Sequence, residues 1–468
     1  MAKTKKTQTV YVCQECGYDS PKWMGQCICG AWNSMVEEKI RPAEDDSRRR
    51  TGSVTAGTGA GRAGRPVPLA QVRSGETSRM DTMIPELNRV LGGGLVRGSL
   101  TLISGEPGIG KSTIILQAAA NIAEKYGSVL YVSGEESEEQ IKMRADRICG
   151  RIPENLFILS ETNMENIIIQ QENIKPSFLI IDSIQTMYSE VLDSAPGSVS
   201  QVRLCGNELM RIGKGSQMPV LIVCHVTKSG DLAGPKIVEH LVDTVLHFSG
   251  ERSQDLRIIR SLKNRFGTTN EIGAFEMCEK GLQGVANLSQ TLMEDMEHSS
   301  EGSVATAVYE GTRPLILEIQ ALTSDAGPGF ARRTAIGVEH NRLNMILAVL
   351  ERRAGISLSM QDVYVNIVGG LRPEGTASDL AVALAVYSSY TRKTPSALTL
   401  ALGEIGLTGE LRSVQHTDKI MKEAARMGFR RIIMPAKNAA KLKSSVPQGV
   451  EIIGVRTLRD AIQSFTEK

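Results

Sequence analysis

The sequence predicts an α/β protein built on a parallel β-sheet with helices on both faces. A small cysteine module precedes it and an α+β region follows. Three observations carry that reading. Between about Val72 and Ala286, short apolar runs alternate with helical patterns: SLTLISG (99–105), SVLYVSG (128–134), SFLIIDS (177–183), PVLIVCH (219–225), DTVLHF (243–248) and LRIIRSLK (256–263). Runs that are apolar throughout, rather than at alternate positions, suit strands buried on both faces. The first run leads into a glycine-rich loop and then a helical pattern, TIILQAAANIAE. Four of the eight cysteines, Cys13, Cys16, Cys27 and Cys29, fall within 17 residues near one end, whereas Cys149, Cys205, Cys224 and Cys278 are scattered singly.

Composition sets the boundaries and the exclusions. At about 150 residues per domain, 468 residues make about three domains. The expected divisions are a cysteine module over 1–36, a flexible linker over 37–68, the α/β domain over 69–286 and the α+β domain over 287–468. Gly, Ala, Ser, Thr and charge dominate the linker, which has almost nothing to bury. The last domain carries strands near VATAVYEG, LILEIQAL and VYVNIVGG, a helix at SDLAVALAVYSSY, a strand at LTLALGEIGL, a helix at TDKIMKEAARMG and a strand at RRIIMP. No internal repeat is visible. Lys and Arg exceed Asp and Glu by 54 to 52, so no global field marks a histone-like chain. Aromatic residues are 4%, which argues against a base-stacking surface as the main binding device. No apolar run approaches the roughly 18 residues that span a bilayer, and basic MAKTKKTQTVYVC lacks the apolar core of a signal peptide. A cytoplasmic chain with no membrane contact is expected. Clustered cysteines in such a chain read as metal ligation, not as a disulfide scaffold.

The loop Gly105-Glu106-Pro107-Gly108-Ile109-Gly110-Lys111-Ser112-Thr113 matches the phosphate-loop pattern completely, with a strand before it and a helix after it. Glycines let the backbone N–H groups face phosphates, and the helix N-terminus adds its dipole. Lys111 would reach the β- and γ-phosphates, and the Ser112 hydroxyl would ligate Mg²⁺. A nucleoside triphosphate is the implied substrate.

Other strand tips supply the remaining chemistry. Asp182 ends the run FLIID and suits the second Mg²⁺ ligand. Ser183 follows it, so a catalytic acid must come from elsewhere. Glu135, at the tip of VLYVSG, is placed to orient the attacking water, because strand tips in such sheets converge where ligands bind. Glu136 reads instead as an acid stabilising the start of the helix after Ser137. His225 ends VLIVC and is either a satisfied polar residue or a γ-phosphate sensor. In Lys263-Asn264-Arg265-Phe266-Gly267, two cations share one side of an extended strand. They are a solvated strand edge, or cations inserted into a neighbouring subunit's nucleotide site. The polar loops after Asp182 and His225 sit beyond strand ends, where loops on a rigid scaffold carry function, and offer Lys228 and Lys236 to phosphates.

The order GGGLVRGSLTLISGEPGIGKST, YVSGEES, FLIIDSIQT, CHVTKSGDLAGPKIVEHLVDTVLHF and LKNRFG resembles the bacterial RadA (Sms) family of DNA-repair ATPases. The likeness extends over essentially the whole chain, and KNRFG is the family's own signature. It implies a RecA-like P-loop ATPase core, preceded by a zinc ribbon and followed by a Lon-protease-like domain. It also implies ATP hydrolysis on single-stranded and branched DNA, branch migration of recombination intermediates, a hexameric ring, and RecA recombinase as a partner. By the same likeness Glu135 matches the water-activating position, His225 the γ-phosphate-sensing position, and Lys263 and Arg265 the cations that cross the subunit interface.

The cysteine module departs from the family pattern: one residue, Ile28, separates Cys27 from Cys29 where two are usual. Four thiolates still satisfy tetrahedral Zn²⁺. Trp23 and Trp32 are expected to pack this small core. Residues from about 304 to 468 resemble the proteolytic domain of Lon proteases, which needs a nucleophilic Ser and a Lys base. Ser378 falls at the serine position, but Asp418 falls where the lysine belongs. Lys419, one residue on, is turned away by about 100° on a helix. Ser378 then reads as a helix N-terminal hydroxyl, and the domain as an inactive protease kept for oligomerisation and DNA contact. An ATP-dependent Lon-like protease is the alternative function, and Asp418 and Ser183 count against it. A regulatory ATPase without motor activity is the third reading.

Overall fold

The computed structural model describes residues 8–15, 17–40, 68, 78–225, 233–250, 255–269, 271–294, 296, 300–327, 330–369, 371–373, 375–395, 398–442 and 446–466. The chain divides into two compact units, 1–284 and 285–468.

The first unit opens on a three-stranded antiparallel ribbon, with Gln8–Cys13 between Asp19–Ser20 and Met35–Ile40. Gln8 lies opposite Ile40 and Cys13 opposite Met35, so residues 37–40, expected as linker, complete the ribbon. Its core is Cys13, Cys27 and Met35, with Tyr11 and Met24 against them. Trp23 and Trp32 do not pack this core: they are 55% and 72% exposed, because the thiols and Met35 already fill its interior. The ribbon rests on the rest of the unit through Gly17, whose carbonyl accepts from the Arg203 guanidinium at 2.7 Å.

A nine-stranded sheet dominates this unit. Six strands are parallel, in the order Leu156–Ser160, Val129–Ser133, Phe178–Asp182, Val220–His225, Leu100–Gly105, Thr244–Ser249. Period-two alternation sends Ile103, Tyr131, Ile180 and Val223 into one buried cluster and Leu102, Val132, Ile181 and Ile222 into another. Helices cover both: Lys111–Tyr126 and Glu138–Ile148 on the first face, Met164–Ile174 and Val199–Ser216 on the second. The sheet is not parallel throughout, as the apolar runs suggested. Leu256–Asn264, Ile272–Cys278 and Gly281–Gly284 extend it antiparallel beyond Thr244–Ser249. Too few residues separate Ser249 from Leu256 for a parallel crossover, which takes about a dozen.

The second unit is α+β. Its seven-stranded mixed sheet runs Arg333–Ile336, Gln361–Ile367, Arg313–Asp325, Ser303–Glu310, Thr399–Ala401, Arg431–Pro435, Glu451–Val455. The helix Asp379–Thr391 is buried along most of its length beside this sheet. The expected strand 398–407 is interrupted at Gly403 and resumes as Glu404–Ile405 in a separate two-stranded pair with Leu411–Arg412.

Candidate active site

The phosphate loop joins the strand Leu100–Gly105 to the helix Lys111–Tyr126. Gly108 and Gly110 have φ of +78° and +115°, a region that glycine enters without strain. A Cβ on Gly105 would meet the Phe248 carbonyl at 2.5 Å, so the adjacent strand also demands glycine there. Lys111 is 3% exposed, and its ammonium donates to the Gly105 and Glu106 carbonyls at 2.8 and 2.9 Å. Burial pulls its pKa down to about 8, against the opposing pull of Asp182, Cys224 and Glu135. Ser112 and Thr113 are the next two residues of the helix. Buried Arg257 donates from Nε to the Ile109 carbonyl at 3.2 Å, bracing the loop from the antiparallel side.

Register brings the other predicted residues to the same edge. His225 and Phe248 both lie opposite Gly105, and Asp182 lies opposite Ser133. Glu135 follows Ser133 by two residues, and its Oε1 accepts from the Ser183 hydroxyl at 2.7 Å. The His225 Nε2 is 3.4 Å from the same oxygen without hydrogen-bond alignment, and both buried ring nitrogens have no hydrogen-bond partner among the described residues. Burial and the Lys111 charge lower the His225 pKa, which keeps the imidazole neutral at neutral pH.

Four residues at this edge escaped the sequence reading. Tyr131, fully buried, donates from its hydroxyl to Asp182 Oδ2 at 2.5 Å. Ser183 holds Glu135 as described. Gln185 bonds the main chain of His225 twice, accepting from its N–H at 2.9 Å and donating to its carbonyl at 2.7 Å. The fourth is Arg257.

Glu136 does not serve as a first-turn acid. It precedes the N-cap Ser137, and its two carboxylate oxygens pair with the Arg144 guanidinium. Ser137 and Gln140 cap the helix reciprocally instead.

Lys263 and Arg265 face the same segment, as their spacing suggests, but not their own phosphate loop. The Lys263 ammonium donates to the Glu239 carbonyl at 2.7 Å, and Arg265 pairs with Asp243 at 3.3 Å. Asn264 lies opposite Thr244, which lies opposite Thr101, at the far end of the parallel strands from Gly105. Four residues of strand put that end about 13 Å from the loop. Lys228 lies outside the described residues, and Lys236 is the fourth residue of the helix Ala233–Leu241.

In the ribbon, the thiol sulfurs of Cys13, Cys27 and Cys29 all lie within 4.8 Å of one another, with 3.9 Å between Cys13 and Cys29. Zinc–sulfur bonds of about 2.3 Å at tetrahedral angles set sulfurs about 3.8 Å apart, so the three fit one metal ion. Cys16 lies outside the described residues.

Family models match three stretches of the chain: a rubredoxin metal binding domain at residues 11–37, an AAA domain at 66–231, and subunit ChlI of Mg-chelatase at 331–438. A KaiC-like protein of solved structure from Pyrococcus horikoshii OT3 aligns at 21% identity over 45% of this chain and 99% of its own, with a TM-score of 0.37. DNA repair protein RadA of Bacillus subtilis (strain 168) is 48% identical over 460 residues, 98% of this chain and 99% of its own length. DNA repair protein RadA of Listeria monocytogenes serovar 1/2a is 46% identical over 466 residues, 99% of each. The chain belongs to the RadA family.

This RadA-family chain is accordingly an ATPase of RecA-like P-loop fold with a metal-binding ribbon ahead of it. Among its helices, none is long and apolar enough to cross a membrane in the described residues. In its second unit, Ser378 stands at the N-cap of Asp379–Thr391 but makes no cap bond, a correction to its expected role. Its helical φ and ψ of −85° and −5° replace the extended backbone that aims a cap at the first turn. The next residue, buried Asp379, takes the polar contacts: both its oxygens bond the Arg342 guanidinium, and Oδ2 accepts from the Ile405 N–H at 3.1 Å. Asp418 and Lys419 open the helix Thr417–Arg426, and the Lys419 ammonium donates to the Tyr309 hydroxyl at 2.6 Å.

Proposed function

We propose that this chain is a DNA-dependent ATPase and translocase that processes recombination intermediates and promotes branch migration in homologous-recombination repair. The carrying observation is the meeting of Lys111, Asp182, Glu135 and His225 at one sheet edge, in a chain of a DNA-repair family. Lys111 stabilises charge on the transferring phosphoryl group, and the backbone of Gly105 to Thr113 cradles the phosphates. The Ser112 hydroxyl and the Asp182 carboxylate supply the oxygens for Mg²⁺, which neutralises phosphate charge when bound. The Tyr131 hydroxyl fixes one Asp182 oxygen by donating to it. Glu135, steadied by Ser183, orients the attacking water. The unpartnered ring nitrogens of neutral His225 sense the γ-phosphate.

The distance of Lys263 and Arg265 from their own loop supports a role in a neighbouring subunit's site within a hexameric ring. The segments after Asp182 and His225, with Lys228 and Lys236, then face DNA. Cys13, Cys16, Cys27 and Cys29 hold structural Zn²⁺. The second unit is a Lon-like domain without proteolysis, since Lys419 is engaged by Tyr309 and Asp418 offers no amine. Single-stranded and branched DNA are the substrates, RecA recombinase is the protein partner, and the compartment is the cytoplasm.

ATP turnover measured without DNA, with single strands and with a branched junction tests this reading. Stimulation by DNA together with movement of the branch point is expected. Turnover indifferent to DNA would reduce the chain to a regulatory ATPase. Casein cleavage lost in Ser378→Ala would make it a protease.

A further inference from the structure

We infer that Gln185 is a positioning residue for hydrolysis: it holds His225 by replacing a strand neighbour that this residue lacks. The inference rests on the sensing role proposed for His225.

The parallel ladder between Phe178–Asp182 and Val220–His225 has its last partners at Ile181 and Ile222. Beyond them the first strand keeps only its pairing with Ser133, at Asp182, and then enters a short 3₁₀ turn, Ile184–Thr186, while the second continues to His225, still paired on its other side with Gly105. Main-chain groups of a strand alternate sides with a period of two. The Pro219 carbonyl accepts from Leu179, so the odd-numbered residues, His225 included, present N–H and carbonyl to the side where the ladder has stopped. A half-buried pair of main-chain groups without partners is costly.

The Gln185 carboxamide meets both, at 2.9 and 2.7 Å, in place of the carbonyl and the N–H that two residues of a continuing strand would have supplied. The amide offers a donor and an acceptor in one planar group; a carboxylate of the same shape would set an acceptor against the His225 carbonyl. The turn carrying Gln185 is anchored in turn. The Thr186 hydroxyl donates to the Ser183 carbonyl at 2.8 Å. A Cβ on Gly134 would stand 2.0 Å from that hydroxyl oxygen, so the turn packs directly on the tip bearing Glu135. Residues 187–198 leave from this turn.

The experiment compares Gln185→Glu, Gln185→Met, His225→Ala and the double variant Gln185→Glu/His225→Ala in the full chain. It records kcat and KM for ATP, with and without single-stranded DNA, alongside the thermal midpoint. Gln185→Glu should lower kcat about tenfold with KM held within about twofold, the pattern of a displaced group felt in the transition state. In the His225→Ala background the same change should have no further effect, because the contact acts through His225. Effects that multiply in the double variant, or a rise in KM with kcat intact, would overturn the inference while leaving the sensing role standing. A normal kcat in His225→Ala alone would overturn the sensing role and the inference with it. Should Gln185→Glu fail to fold, Gln185→Met, similar in length without donor or acceptor, carries the same comparison.

Discussion

Lys111 shows how one residue's surroundings set a measurable constant. Its ammonium is buried against its own loop at the sheet edge, satisfied by two of that loop's carbonyls, and burial brings its pKa down to about 8. The charged form is the one that attracts phosphates, so protons and nucleotide bind together. The affinity for MgATP should stay level from pH 7 to about 8, then fall about tenfold per pH unit as the amine loses its proton. Titration with a fluorescent ATP analogue from pH 7 to 9.5 measures this. A flat profile to pH 9.5 would show either that Lys111 keeps its proton across this range or that its ammonium does not meet the phosphates. Lys111, Asp182, Glu135 and His225 were all legible in the sequence, because each stands where an apolar run ends or a glycine pattern fixes a loop. The residues that brace them were not. Tyr131 reads as one more core aromatic until the partner of its hydroxyl, Asp182, 51 residues away, is seen beside it. Gln185 lies in a polar stretch without period, and its partner is 40 residues on.

Elements were legible where burial alone defines them and less so where neighbours do. An apolar run shows that both faces of a strand are covered but not which way it points, so the run alone does not separate the antiparallel Leu256–Asn264 from the parallel strands. The signal that separates them is the short interval after Ser249, which admits a hairpin and not a crossover. The helix Asp379–Thr391 gives the converse case: its apolar run foretold a buried helix, but not what ties down its start. Arg342 does so, binding both oxygens of Asp379, whose side chain is 4% exposed. Arg342→Leu leaves that carboxylate buried without its partner, at a cost of about 3–5 kcal/mol. Amides of the helix should then exchange with solvent faster by the matching factor, read by native-state hydrogen exchange. Arg342→Lys keeps the charge but not the fork, and should recover only part of the protection. Unchanged exchange in Arg342→Leu would mean that the pair contributes nothing to holding the helix.

At the scale of the whole molecule, the role proposed for KNRFG in a neighbouring subunit's site can be set against a role in DNA binding. Arg265 pairs with Asp243 at the end of the sheet away from its own phosphate loop, so it does not complete its own site. If it enters a neighbour's site, Arg265→Ala should lower turnover by about a thousandfold while nucleotide binding survives, since the missing charge matters mainly in the transition state. Mixing this variant with unaltered chains should depress activity more than dilution does, because every mixed ring contains sites lacking their cation. Lys263→Ala should act in the same direction but less severely, a point charge being lost in place of a planar fork. The rival account makes both cations contacts to DNA phosphates. It predicts that basal turnover survives, while DNA stimulation and the salt dependence of DNA binding fall. Basal ATPase, DNA affinity against salt, and mixed-subunit activity on the same preparations separate the two. Intact basal turnover with no effect on mixing would assign KNRFG to DNA and leave each nucleotide site to its own subunit.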